Sequence, residues 1–226
     1  LIGQCYMYGL GCETDPGLGL RYVDYASDIS TNRFALASLG ACCYNGIGCP
    51  QNDTLAAAFF REASEDLQYA VAMNSLGVCY KKGRGVPQND TLATRWYEKA
   101  AVAGLAEAMV NFGLCLQRGQ GIEADEALAV RWFIQAARQR HAGAMFHLAH
   151  CYAAGRGLPR NLAEAVALFQ KAAELGHAGA QFSLAESLVH GRGVRRDPQE
   201  ALRWLSLAAD QGLADAQHLL GKCYAV

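Results

Sequence analysis

One spacing limits what this chain can fold into. A bulky apolar residue recurs at Ile2, Leu39, Leu76, Phe112, Leu148, Leu184 and Leu220, in steps of 37, 37, 36, 36, 36 and 36 residues. These positions are taken as phase zero. A small residue follows each one directly, from Gly3 and Gly40 to Gly221, with Ala149 and Ala185 as the variants. Four places earlier stands alanine at Ala35, Ala72, Ala108, Ala144, Ala180 and Ala216. Seven and nine places later come two glycines, as in Gly83 and Gly85 or Gly191 and Gly193. A period of this length marks a stack of supersecondary units, each able to bury its apolar face only against its neighbours.

Each column has a physical reason. Residues at phases −4, 0 and +1 form one narrow stripe on a helix, and small side chains there let a neighbouring helix come close. The paired glycines end that helix and turn the chain. Phase +13 is always Asp or Asn, at Asp15, Asn52, Asn89, Asp125, Asn161 and Asp197, which is favoured N-cap chemistry. Pro16 and Pro198 follow at a first helical position, and Glu164 and Glu200 stand where a capping box needs them. The second helix then carries a bulky pair, such as Trp96 and Tyr97, and one turn later a small pair, such as Ala100 and Ala101. Large beside small is how stacked helices interdigitate.

The A-x3-LG-x2-Y-x2-G-x-G run and the later W-x3-AA-x2-G run resemble the Sel-1-like repeat family, a relative of the tetratricopeptide repeats. Both are complete in Ala72–Gly104, allowing for Cys79 before Tyr80, and the resemblance covers essentially the whole chain. Departures are mild: Cys43 takes the tyrosine place in the second copy, and the first two copies carry one extra residue. The resemblance implies an all-α, right-handed α-solenoid of antiparallel helix pairs, six 36–37-residue repeats with incomplete units at both ends. Residues 1–226 read as a single solenoid domain. The chain starts and stops inside a first helix without a polar cap. It is therefore expected to be a segment of something longer, or to make end-to-end contacts at its broken repeats.

Net charge is −1, which implies no polyanionic partner, and there is no basic run for nucleic acid. No apolar stretch approaches the roughly 20 residues of a spanning helix, so direct membrane insertion is not expected. Six of the nine cysteines, Cys5, Cys42, Cys79, Cys115, Cys151 and Cys223, share phase +3, beside the buried stripe. Neighbours in that column are expected about 10 Å apart, beyond disulfide reach of about 7 Å. They read as small core residues in a reducing intracellular compartment, in preference to a secreted or endoplasmic reticulum location. Cys12 and Cys49 lie in loops, where bridges from Cys5 to Cys12 or from Cys42 to Cys49 are the alternative. Asn52 and Asn89 match the glycosylation acceptor pattern but occupy the cap column, and are read as caps.

Catalysis has no support, since no nucleophile has a recurrent base partner. The Gly-x-Gly loops lack the strand, lysine and hydroxyl of a phosphate loop. His147 and His150 share a helix face and read as a surface pair; a metal site needs further ligands. No cofactor is expected. In the tetratricopeptide relatives, first helices line a concave groove at positions flanking the stripe. Carried over by phase, this marks Val78, Val110, Leu114, Phe146 and Phe182 as an apolar strip, with Phe146 and Phe182 as anchors. Asn74, Lys81, His150 and Glu186 would add polar contacts. The other reading of the −2 column is that its phenylalanines are core. The resemblance thus implies a non-enzymatic scaffold or adaptor holding an extended or helical protein segment. Two alternatives are an architectural subunit of a large assembly and a secreted cysteine-rich, hydrolase-like relative.

Overall fold

The computed structural model describes residues 33–65 and 68–224, together with Asp15, Gly17 and Arg21. The described residues contain eleven helices and no strand. First helices are α1 (Arg33–Asn45), α3 (Ala70–Lys82), α5 (Ala106–Arg118), α7 (Ala142–Ala154), α9 (Ala178–His190) and α11 (Ala214–Tyr224). Second helices are α2 (Asp53–Glu65), α4 (Asp90–Val102), α6 (Glu126–Arg138), α8 (Leu162–Glu174) and α10 (Pro198–Asp210). None of the helices is long and apolar enough to cross a membrane. The chain forms two compact units. One ends at Cys115 and includes Gly119–Glu123; the other comprises Leu116–Arg118 and the chain from Ala124 onward.

The columns do the work their chemistry suggests. Ala72, Ala108, Ala144, Ala180 and Ala216 are fully buried, and Leu76, Phe112, Leu148 and Leu184 are buried beside them. Within the first unit α1 packs on α2 and α3 on α4; within the second, α7 packs on α8 and α9 on α10. The phase +1 glycines allow this closeness. A Cβ on Gly40 would lie 2.7 Å from the Phe60 ring, and one on Gly77 2.7 Å from the Tyr97 ring. Bulky second-helix residues thus lie directly against bare first-helix backbone.

Helix ends follow the caps. First helices close on glycine in the left-handed region, at φ 65° for Gly83 and 68° for Gly191, where a β-carbon would be strained. Second helices open on the Asp/Asn column: Asn52, Asn89, Asp125, Asn161 and Asp197 each accept a backbone N–H three residues on, at 2.8–3.1 Å. The same residues donate their own N–H to a carbonyl nine back, as Asn89 does to Tyr80 at 2.9 Å, which ties each loop to the helix before it. Neither capping box is completed as expected, since the Asn161 and Asp197 N–H groups go to the Tyr152 and Leu188 carbonyls. The Glu200 carboxylate instead accepts the Trp204 indole N–H at 3.3 Å, because the two residues lie one turn apart.

Cys42, Cys79, Cys115 and Cys151 are buried free thiols. Burial pushes Cys42 and Cys79 up to about 11, since an apolar surrounding disfavours the thiolate. The bridge from Cys42 to Cys49 is not formed: Cys49 is a free thiol, and its Sγ lies 4.0 Å from Cys43 Sγ. Cys5, Cys12, Asp15's neighbour Pro16 and the side chain of Cys223 lie outside the described residues, and with them the bridge from Cys5 to Cys12.

Candidate functional site

In the first unit, most of the expected groove residues are committed to the fold. Asn74 is buried and accepts the Asn111 side-chain N–H at 2.9 Å. Val110 is buried as well. These two positions, expected at an open groove, belong instead to the packing between successive first helices. Lys81 donates to the Gln120 side-chain oxygen and lies 3.5 Å from Asp90. Val78 and Leu114 remain half-buried, leaving an apolar edge on α3 and α5.

The second unit is built differently. Phe146 on α7 is half-buried and sits at the centre of an aromatic cluster. Its ring stacks on His177 at 4.6 Å and meets His150 edge-on at 4.5 Å, with Phe169 at 6.0 Å. His147 is not a surface residue: it is half-buried and stacks on Phe133 at 5.6 Å. Burial holds its pKa down to about 4, helped by the neighbouring His150, His177, Arg118 and His141. His150 and His177 are also lowered, first by burial. Two histidines have a role that the sequence reading missed. His141 and His177 cap α7 and α9, each accepting a backbone N–H on Nδ1, from Ala144 at 3.2 Å and Ala180 at 3.1 Å. That bond requires the ring nitrogen to be unprotonated.

Beside the aromatic cluster, α7, α8 and α9 enclose a cleft of about 250 Å³. His150 and Glu186, both expected at the groove, line it, and Phe169 forms part of its wall. Phe182 is half-buried nearby on α9 but does not line it. Two cationic walls, Arg160 and Arg192, come from the interhelix loops, to which the groove columns did not point. In the first unit a wider depression of about 650 Å³ lies along α4, between Trp96 and the exposed Val102.

The family model described as Sel1 repeat matches residues 1–28, 33–66, 70–105, 106–141, 142–177, 178–213 and 214–225. The chain belongs to the Sel1 repeat family. Among solved structures it is similar to a Sel1 repeat protein from Oxalobacter formigenes, at 26% identity and a TM-score of 0.82, over 94% of this chain and 89% of that one. It is similar also to the protective antigen c5321 of uropathogenic Escherichia coli, at 29% identity and a TM-score of 0.79, over 99% of this chain. The chain spans about half of that antigen, 47% of its length. YrrB, a tetratricopeptide repeat protein with an unusual peptide-binding site, shares the fold at 21% identity and a TM-score of 0.51, over 87% of this chain and 96% of that one. No curated protein matches significantly. The α-solenoid of paired helices is therefore the family's fold, and Sel1 repeat proteins generally serve as protein-interaction scaffolds, a fold that is typically non-catalytic.

Proposed function

We propose that this chain is a non-catalytic scaffold that holds a segment of a protein partner along its first helices. The observation that carries this reading is the set of apolar side chains those helices leave half-exposed. Val78 and Leu114 do so in the first unit, Phe146 and Phe182 in the second. In the second unit they adjoin a cleft whose walls are both apolar and charged, the mixture that fixes an extended segment in register. The fold supports a reducing compartment in the same way, because the buried column thiols are packed as small apolar groups.

The test is affinity capture with the immobilised chain, comparing wild type with the Val78→Ser/Phe182→Ser variant. Both changes remove apolar contact from half-buried sites, and the variant is expected to keep its fold while losing the captured protein. Leu207→Ser, at an exposed position on α10, is the control and is expected to retain it. Capture that survives in the double variant, or is lost equally in the control, would reject the first helices as the binding face.

A further inference from the structure

The interhelix loops make the same contact at four described copies, and in one of them the residues facing the loop offer it neither a charge nor a ring. A Cβ on Gly85, Gly121, Gly157 or Gly193 would collide with the backbone carbonyl of Asp53, Asp90, Glu126 or Leu162 respectively. Each loop is thus pressed onto the start of the preceding copy's second helix in the same register. The residue between the two glycines, at phase +8, is Arg84, Gln120, Arg156 or Arg192. It faces phases +5 and +14 of the copy before.

In the first unit these nodes are closed. The Arg84 guanidinium donates to the Asp53 carboxylate, with Nε at 3.0 Å from Oδ2, and to the Tyr44 carbonyl at 2.7 Å. Its carbon lies 3.5 Å from the Tyr44 ring centroid, a cation resting on an aromatic face. At the next node Lys81 donates to the Gln120 side-chain oxygen and lies 3.5 Å from the Asp90 carboxylate. In the second unit the first node sets Glu126 opposite Arg156 by column, still opposite charges, although among the described residues no ion pair or side-chain hydrogen bond joins them. The following node holds Ala153, Leu162 and Arg192. The ring has become a methyl group and the carboxylate an isobutyl group. Among the described residues the Arg192 side chain has no hydrogen bond and no ion pair. The space so vacated is the 250 Å³ cleft, which Ala153, Leu162 and Arg192 all line.

We propose that this open node is a receptor for one acidic side chain of the bound protein segment, with an adjacent aromatic residue of that segment filling the space over Ala153. The inference rests on the scaffold reading and names the partner chemistry at its second-unit cleft. Charge decides the acid. Arg192 is unpaired, and Arg160 adds a second guanidinium whose Nε alone is engaged, donating to the Ala153 carbonyl at 3.1 Å. Shape decides the ring, because the missing partners at this node are the ones Arg84 has: an aromatic face and a carboxylate. Glu186 on the facing wall repels a second negative charge. The preferred segment therefore carries a single acid rather than an acidic run.

The test uses a peptide with a central Tyr-Asp pair in a Gly/Ser context, acetylated, amidated and labelled on a terminal cysteine side chain with an uncharged BODIPY dye, so that the Asp side chain is its only carboxylate. Fluorescence polarisation should show saturable binding to the wild-type chain. Replacing the peptide's Asp by Asn, or making Arg192→Gln, should weaken it about tenfold, as loss of a charged hydrogen bond does. The deciding variant is Ala153→Tyr/Leu162→Asp. It rebuilds the closed node of Arg84 inside the chain, so it should abolish peptide binding with an unchanged or raised Tm. An amidated peptide with four consecutive acids should bind no better than the single-acid one. Equal binding of the Asn peptide, undiminished binding by the rebuilt node, or no binding at millimolar peptide would each overturn the assignment. If peptide binding fails while partner capture is still lost in the Val78→Ser/Phe182→Ser variant, the scaffold reading stands and only the acid receptor falls.

Discussion

His147 should make this protein measurably acid-sensitive, and by an amount the structure sets. Its ring is wedged beside Phe133 and Phe146, and burial lowers its pKa from 6.5 to about 4. Above the ordinary value neither the folded nor the unfolded chain holds the extra proton, so the side chain contributes no pH dependence there. Between 6.5 and about 4 the unfolded chain takes up the proton and the folded chain does not. Stability is therefore full at neutral pH and falls as pH drops through that window. At about 1.4 kcal/mol per pH unit the whole loss is about 3 kcal/mol, of which about 2 kcal/mol is lost by about pH 5. The assay is urea unfolding of wild type and His147→Leu at about pH 7 and about pH 5. Leucine has similar bulk and cannot titrate. The wild type should lose about 2 kcal/mol more than the variant between the two conditions. An identical loss in both, or an NMR titration placing the His147 midpoint near 6.5, would refute the argument.

Two further outcomes are expected. Arg140 adopts φ 60°, in the column where Gly104, Gly176 and Gly212 sit, so Arg140→Gly should relieve a strained backbone and stabilise the chain by about 0.5–1 kcal/mol, read as a rise in Tm. Native alkylation near neutral pH should label Cys49 well before Cys42, Cys79, Cys115 and Cys151, whose thiols are buried, and the latter should react together only in denaturant; early labelling of Cys79 would contradict its place in the core.

The sequence was most informative where a residue's role is local. A glycine that must turn left-handed, an Asp or Asn that caps a helix and an alanine that lets a helix approach all declare themselves by recurring, because every copy poses the same local problem. Asn89 and Gly83 are legible on that ground. Contacts between copies were harder to read. The −2 column points Asn74 to an open groove, whereas its side chain is buried and meets Asn111 of the next copy. Lys81, on the +5 column, bonds to Gln120 of the next copy. A column read singly does not show these bonds, because each joins one column to a different column of the next copy. The histidine caps were missed for another reason: leucine or tyrosine holds the same place at Leu105 and Tyr69, so imidazole there did not stand out as a column.

The collision points beneath Gly85, Gly121, Gly157 and Gly193 have an evolutionary corollary. A turn wedged against a neighbour's peptide has no slack, so a one-residue insertion there would shift the register of everything downstream. The corners at Gly104, Gly176 and Gly212 are open, with no neighbouring atom within 4 Å of a Cβ built there. The two 37-residue periods carry their extra residue in this second kind of corner, near Gln68 in the copy where it is described. Growth or loss of this chain over time should therefore come in whole periods, with single-residue drift confined to those open corners.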